Sequence, residues 1–549
     1  MILLPNCRPG IHTVEKIGGT SISNPAAILE NVLVGRRKGS ALYNRIFVLS
    51  AYNGMTDRLL EHKKTGKPGV YALFARARSR AAWVEAVAET HREMTRINAE
   101  IFGSSPERRV ADDFVSDRIE GVRGCLLDLQ RVCSYGHFKL EEHLNAVREI
   151  LAAQGEAHST HNTVLLLRTL GVEAMFVDMT GWRDETEMSL DARIGAALSA
   201  IDLGKQLPIV TGYSRCPGGL VRLYGRGYTE ATFARIAVLT RAKEAIIHKE
   251  FHLSTADPKI VGIERVRAVG RTNYDVADQL ANLELEAIHW AAAKELRHSN
   301  IPLRIKNTFD PGCDGTVITR DYVTDTPRAE IVVGFRGVYA LEFFDQDMAG
   351  VIGYDAEILQ TLKAHAVRVI TKTSNANTIT HYLAAAPEAI APVVKALEEN
   401  FLTANIASRK VSIVSAIGSA LNRQSLTAIA VQALAECLHR GPGSAPAHAQ
   451  RGYNVYWTNP LRDRGAARKV WAAGVVLIAS SVALVMSPQE ALALSAWSGC
   501  LQPIPSDKGG VCHDPTSPAH ERGHAGAQLR AQHPAVVSAT GVAVRSPLR

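Results

Sequence analysis

A lysine followed by two glycines and two hydroxyl residues, Lys16-Ile17-Gly18-Gly19-Thr20-Ser21, is the sharpest chemical signal in this chain. Glycines after a strand let backbone N–H groups turn toward an anion, and the start of a following helix adds positive potential. Lys16 at the strand end reaches phosphate oxygens, and Thr20 and Ser21 add hydroxyl donors. The segment is not a Walker loop, because GxxxxGK[ST] is absent. Taken alone, a Gly-Gly turn is also what a tight connection looks like. The lysine before it and the hydroxyls after it bring the two readings level.

A second small-residue loop, Ser50-Ala51-Tyr52-Asn53-Gly54, repeats the arrangement. Two such loops at one edge of a parallel sheet make a phosphate cradle at the carboxyl ends of the strands; one alone is an ordinary βα turn. Gly155-Glu156-Ala157-His158-Ser159 reads as a helix opening, with Glu156 and Ser159 on one face. Glu156 is either a partner for a substrate ammonium or a first-turn carboxylate favoured by the helix dipole. Gly225-Arg226-Gly227-Tyr228-Thr229-Glu230 precedes a helix and presents backbone amides or Arg226 to a charged ligand, or is a flexible turn with a cap. Ser254–Lys259 is a turn in which Lys259 either meets a phosphate or is solvated. His248 and His252 stand four apart before it, but no third ligand is visible, so no metal site is assigned.

These loops need a scaffold that brings them to one edge. Ile11–Lys16 and Arg45–Ser50 read as strands, with a helix between them from about Asn24 and Pro25 in its first turn. Residues 71–170 are helical by periodicity. Strand signals return at Ala174–Asp178, Pro208–Gly212, Ala245–His248 and Pro302–Lys306, with a helix near Thr229–Arg241. The pattern is an α/β layer with a mostly parallel sheet, ending after about Thr319.

From Arg328 the texture changes to two small α+β modules. Strands are expected at Ile331–Phe335, Val338–Phe344, Val367–Thr371, Thr378–Leu383 and Lys410–Ser415, and helices at Gly350–Ala364, Ala386–Asn400 and Ser425–Glu436. The first module spans 328–385 and the second 386–436. The second then lacks two strands. Ten of the 23 prolines fall after residue 436, which marks 437–549 as a Pro/Arg-rich tail, read as out-of-frame, replaced or disordered. Val470–Ser487 is an uncharged run of 18 residues, the minimum for a membrane span, yet it holds a glycine and three serines. An anchor, a buried segment and no structure are its three readings.

Composition limits the function classes. Apolar residues make up 46% and charged residues 21%, which argues against wholesale disorder and a polytopic membrane protein. The net charge is +8, but +6 of it lies after residue 436, so the body carries no general basic surface for nucleic acid. The eight cysteines form no CxxC and read as reduced thiols. No secretory signal is visible, and the expected location is cytoplasmic.

In order and spacing these motifs resemble the aspartokinases of the amino-acid-kinase family. That family's KxGGTS stands at Lys16–Ser21, its GE..S at Gly155, Glu156 and Ser159, and its TADPR at Thr255–Lys259 with Lys for Arg. Its late NTF.P…GT.I is matched by Asn307–Pro311 and Gly315–Ile318. The His-Lys-Glu-Phe-His stretch is similar to the specialised aspartokinases of ectoine biosynthesis clusters. Residues 328–436 resemble the family's paired ACT modules, which implies a homodimer. Met348, Ser374 and Asn375 would then stand near an effector.

The resemblance implies transfer of the ATP γ-phosphoryl group to the β-carboxylate of L-aspartate, with Mg²⁺ bridging phosphates. Lys16 would stabilise the moving group. Gly18, Gly19, Ser50, Asn53, Gly54 and Lys259 would contact ATP, and Thr20, Ser21, Glu156 and Arg193 the substrate; for Arg193 a surface-helix role is an equal rival. Two departures stand out. The family's GRGGSD is here Gly225–Glu230, with Thr229 for Ser and Glu230 for Asp. Its acidic TDVDGVY is here His248–Ser254. That loss and the interrupted module leave a non-catalytic amino-acid-binding paralogue, or a kinase with another substrate, as alternatives.

Overall fold

Strand β1 (Thr13–Ile17) lies inside an eight-stranded sheet, and four of its five residues are buried. In the computed structural model the described residues are 10–420, apart from 64, 77–79, 258–263, 265, 283–287 and 326–327, together with 474–478 and 481–486. Seven further strands join β1: β2 (Arg45–Leu49), β3 (Ala174–Val177), β4 (Leu207–Thr211), β5 (Glu244–Lys249), β6 (Arg271–Asn273), β7 (Leu303–Asn307) and β8 (Thr316–Thr319). The order is β3-β4-β2-β1-β5-β7-β8-β6. All neighbours are parallel except β7 with β8.

Helices cover both faces, so the strands read as near-continuous apolar runs. Alternation sorts them. Val14, Ile46, Val48, Val210 and Ile247 face one core with Phe233 and Ile236 of the Tyr228–Thr240 helix. Ile17, Phe47, Leu49 and Ile209 face the other, with Leu151 and Val164 of the Leu140–Thr169 helix. By the same parity Lys16 and Lys249 lie on the first face, and Glu15 and His248 on the second.

The helical stretch holds three long helices, Arg80–Phe102, Pro106–Cys133 and Leu140–Thr169. One expectation fails here. Gly155–Ser159 does not open a helix; it sits in the middle of Leu140–Thr169. Gly155 is present for space, because a Cβ there would lie 2.8 Å from Ala51 Cβ and 3.3 Å from Met55 Cγ. The roughly 1 kcal/mol helix penalty of glycine is outweighed by close packing on the second loop.

A second sheet follows. Its strands are β9 (Ile331–Phe344), β10 (Arg368–Ser374), β11 (Thr378–Ala384), β12 (Asn405–Ile417), β13 (Gly474–Ile478) and β14 (Ser481–Met486). Every neighbour in the order β10-β11-β9-β12-β14-β13 is antiparallel. Helices Tyr354–Ala364 and Pro387–Asn400 pack on it through Ile358, Leu362, Val393 and Leu397, as ACT-like modules do. The two strands expected at 331–344 are one strand, bent where the register with β12 shifts near Gly337 (φ 78°). The helix expected from Gly350 starts at Tyr354, because Gly350 and Gly353 are left-handed (φ 82° and 118°).

The expected helix at 425–436 lies outside the described residues. Within the uncharged run at 470–487, β13 and β14 form a hairpin that pairs onto β12. The described residues of that run, 474–478 and 481–486, are therefore strand rather than a membrane-spanning helix or a segment without structure. No helix among the described residues is long and apolar enough to cross a membrane.

Gly155→Val is expected to destabilise the chain by about 1–3 kcal/mol, through overpacking against the Ser50–Gly54 loop. The check is a lowered urea midpoint at unchanged slope; an unchanged midpoint would show that the loop simply moves aside.

Candidate active site

The parallel register brings the carboxyl ends of β1, β2, β4 and β5 to one edge. Lys16 pairs with Val48 and with Ile247. Beyond it, the Gly18 N–H donates to the His248 carbonyl at 3.2 Å, and Ser50 N–H donates to Ile17 at 3.2 Å. The two small-residue loops touch: a Cβ on Gly19 would come within 2.9 Å of the Ala51 carbonyl. Asn53 N–H donates to Ser23 Oγ at 2.8 Å, and Gly54 (φ 76°) starts the Met55–Leu59 helix. Thr20, Asn53 and Gly54 are exposed at this edge, while Ser21 is buried and accepts from Thr308 Oγ1 at 2.9 Å.

Lys16 is buried, with Nζ 3.2 Å from Glu230 Oε1. The other Glu230 oxygen accepts the backbone N–H of His289. Burial pushes the Glu230 carboxyl up, but Lys16, Lys249 and the His289 N–H outweigh it and hold the group down to about 2. Glu230 also sits in the first turn of Tyr228–Thr240, where the helix dipole favours an anion.

Glu156 is the opposite case. It is 1% exposed, and Thr229 Oγ1 donates to its Oε1. Its Oε2 is buried with no hydrogen-bond partner among the described residues. Burial dominates and raises its carboxyl to about 8, against the lowering effects of Thr229, Lys16 and the nearby Tyr213 N–H and Tyr228 hydroxyl. The pocket around it requires Gly212 at the end of β4, since a Cβ there would meet Thr229, the Leu49 carbonyl and Glu156 Oε2 at 2.8 Å or less. Ser159, one turn on, donates to the Ser50 carbonyl at 2.8 Å and ties the helix to the second loop.

Behind Lys16, on the opposite sheet face, is a buried charge cluster. Arg45 Nε donates to Glu15 Oε1 at 2.7 Å, and His248 Nε2 lies 2.8 Å from Glu15 Oε2. Arg45 also donates to the Val32 and Leu33 carbonyls. Burial raises the Glu15 carboxyl, yet Arg45 and then His248 hold it well below the usual carboxylate range.

The remaining expectations fall differently. Arg193 is buried, and its three nitrogens are taken by Asp184 at 2.8 Å, the Arg215 carbonyl at 2.8 Å and the Thr186 carbonyl at 3.1 Å. It clasps the loops after β3 and β4. Arg226 is pinned to Asp57 and to the Glu61 carbonyl, so it is not offered to a ligand. Lys259 lies outside the described residues. In the second sheet Met348 is buried, Ser374 ends β10, and Asn375 Oδ1 accepts from Thr378 N–H at 2.8 Å, closing the β10–β11 hairpin.

Sequence reading did not single out Glu15, Arg45 or Gly212. The available signal for the first two was a charged residue inside each of two strands that otherwise read as fully buried.

Comparison with known proteins agrees with this geometry. Residues 12–307 match the amino acid kinase family. The chain is 50% identical over 426 residues to aspartate kinase Ask_Ect of Stutzerimonas stutzeri, spanning 78% of this chain and 90% of that protein. The aspartokinase of Schizosaccharomyces pombe is 31% identical over 236 residues, 39% of this chain and 44% of that one. Among solved structures, E. coli aspartokinase III in complex with aspartate and ADP superposes with a TM-score of 0.61 at 18% identity, covering 89% of this chain and 100% of that one. Clostridium acetobutylicum aspartate kinase superposes at 0.58 with 14% identity, covering 88% and 99%.

The raised Glu156 carboxyl makes a stability prediction. The folded chain keeps a proton up to about 8 that the unfolded chain releases near 4.5, so this group destabilises the fold progressively as pH rises between those values. Glu156→Gln removes the slope. Its stability relative to the parent should rise across that window and level off above it, read as urea midpoints against pH. A flat difference would mean that Glu156 is ionised in the free protein.

Proposed function

The chain belongs to the aspartokinases of the amino acid kinase family and is an ATP-dependent aspartate kinase, and from that premise we propose how its own residues carry the reaction and which pathway it serves. The β-carboxylate of L-aspartate attacks the γ-phosphorus of ATP, the bond to the β,γ-bridging oxygen breaks, and ADP leaves with that electron pair. The product is an acyl phosphate. The nucleophile is already ionised at neutral pH, so positioning and charge neutralisation carry the rate rather than a general base.

The observation that carries the assignment is the Lys16–Glu230 pair at the carboxyl end of β1, beside the glycine loop and next to a buried carboxylate with one open oxygen. Lys16 neutralises charge on the moving phosphoryl group, and Glu230 keeps its ammonium aimed there. The Gly18–Gly19 backbone, with Ser50, Asn53 and Gly54 of the second loop, lines the nucleotide phosphates; Lys259 is assigned there by its motif alone. Thr20, Ser21 and Glu156 line the aspartate side, and Glu156 Oε2 takes the substrate ammonium. Arg193 serves that side by holding its loops, and would meet a substrate carboxylate only by releasing Asp184.

Mg²⁺ supplies charge neutralisation on the triphosphate. Both Glu230 oxygens are taken by Lys16 and His289, so phosphate oxygens and water would hold most of its coordination sphere. The 50% identity to a protein named Ask_Ect, together with the His248–His252 stretch, supports a role at the head of ectoine biosynthesis. The ACT-like sheet supports a homodimer, and the neutral body a cytoplasmic enzyme. Met348, Ser374 and Asn375 remain the effector-site proposal.

Two measurements test the residue roles. Lys16→Ala should lower kcat by about 100- to 1,000-fold in chain that is still folded at the assay temperature, and should lower the melting temperature as well because Glu230 loses its buried counter-ion, with the acyl phosphate trapped by hydroxylamine and glutamate as control substrate. Activity that survives would remove Lys16 from the chemistry. Capture of an ammonium needs the ionised Glu156, which must first lose a proton at any pH below about 8. The apparent affinity for aspartate should therefore strengthen by about tenfold per pH unit up to that value in the parent, and not in Glu156→Gln. A flat profile would place the ammonium elsewhere.

A further inference from the structure

The two histidines that the sequence places four apart are separated by the structure. His248 is buried on β5 against Glu15. His252 lies past the end of that strand, with Nε2 2.9 Å from Asp310 Oδ2. Cys313 joins them: one donor atom from each of His252, Asp310 and Cys313 lies within 4.8 Å of the others. The two partners of His252 that the sequence did not reveal, Asp310 and Cys313, come from a loop that begins nearly sixty residues downstream.

Two connections bring the group together. His252 is on the loop after β5, and Asp310 and Cys313 are on the loop after β7, the adjacent parallel strand. Their starting points are locked, since Lys249 pairs with Asn307 and the Thr308 N–H donates to the Lys249 carbonyl at 2.8 Å. The second loop folds back tightly on its own strand. Gly315 is left-handed (φ 76°), and a Cβ there would fall 2.1 Å from the Ile305 carbonyl. Cys313 N–H donates to the Asp310 carbonyl at 3.4 Å, which keeps the two ligand residues side by side. His252 Nδ1 is buried without a hydrogen-bond partner among the described residues, so the ring's polar contact is with Asp310.

We propose that His252, Asp310 and Cys313 form a binding site for a zinc-class transition-metal ion that links the β5 and β7 loops. An imidazole, a thiolate and a carboxylate are a mixed, borderline-soft donor set, suited to Zn²⁺ or Co²⁺ in tetrahedral geometry. Mg²⁺ asks for hard oxygens in an octahedron, so this site is distinct from the ion that travels with ATP. Three protein ligands leave a fourth position for water. Binding displaces the Cys313 thiol proton and replaces the direct His252–Asp310 contact by two bonds to the metal. The ion would fix a loop in which this chain departs from its family's motif.

The test uses the full-length, reduced, metal-free chain titrated with Co²⁺. One equivalent should produce thiolate-to-cobalt charge-transfer absorption with tetrahedral d–d bands. Zn²⁺ should abolish both, and excess Mg²⁺ should leave them. Cys313→Ser should remove the charge-transfer band, and His252→Ala and Asp310→Asn should each weaken Zn²⁺ binding by at least about tenfold, as chelator competition reads it. Cys125→Ser and Cys133→Ser should change nothing. Metal-free Cys313→Ser should melt with the parent, and only the parent should gain melting temperature from Zn²⁺. No thiolate band, or a band that survives Cys313→Ser, overturns the site and leaves an ordinary His–Asp pair beside a bystander cysteine.

Discussion

The buried ion pair of Lys16 and Glu230 at the carboxyl end of β1 is the constraint on which this molecule is built. Removing Lys16 and Glu230 from water is unfavourable unless each finds full compensation. Glu230 finds it in the ammonium, the His289 backbone N–H and the first turn of its own helix. The sheet order follows from the same need. Lys16 must leave β1 between β2 and β5, so that the glycine loop, the Ser50–Gly54 loop and the start of the Tyr228–Thr240 helix converge. The Glu15–Arg45 ion pair and the His248–Glu15 hydrogen bond brace those three strands from the opposite face.

Two carboxylates near one lysine have been pushed in opposite directions, and that divides their work. Glu230 is held at about 2 by cations and a backbone donor, so it stays an anion and serves as a fixed orienting partner. Glu156 is raised to about 8 by burial, with one oxygen capped by Thr229 and the other open. An open, desolvated carboxyl is poor at resting as an anion but well prepared to become one when an ammonium arrives. Thr229 and Glu230 are adjacent in sequence, so a single helix start sets both states.

Much of this was legible in the residues, and the limits have physical causes. The glycine loop, the parallel cadence and the GE..S spacing are local signals, and the fold and the match at Lys16–Ser21 rest on them. Gly155 misled because a glycine in a helical pattern reads as a boundary, whereas here it makes room for Ala51 over a hundred residues away in sequence. Arg193 and Arg226 show a related limit. An arginine shows its charge in the sequence but not its partners, and Asp184 and Asp57 had already taken both. The hairpin at 474–486 lay in a run whose composition fits a strand pair as well as a membrane segment, and only pairing with β12 tells them apart.

The departures from the family pattern fit one another, which is not what decay produces. A glutamate where aspartate is usual lengthens the arm by one methylene, and here that arm meets Lys16 with one oxygen and the His289 N–H with the other. A lysine where the nucleotide loop is usually acidic adds a cation on the same sheet face, and Lys249 follows Lys16 among the charges that keep Glu230 ionised. His248, beside it on β5, closes the Glu15–Arg45 cluster rather than pointing into it unpaired. A drifting site would strand buried charges, because nothing would select their partners. Here Glu230, Lys249 and His248 each meet an oppositely charged or hydrogen-bonding partner, and Glu156 keeps one buried oxygen without a hydrogen-bond partner among the described residues.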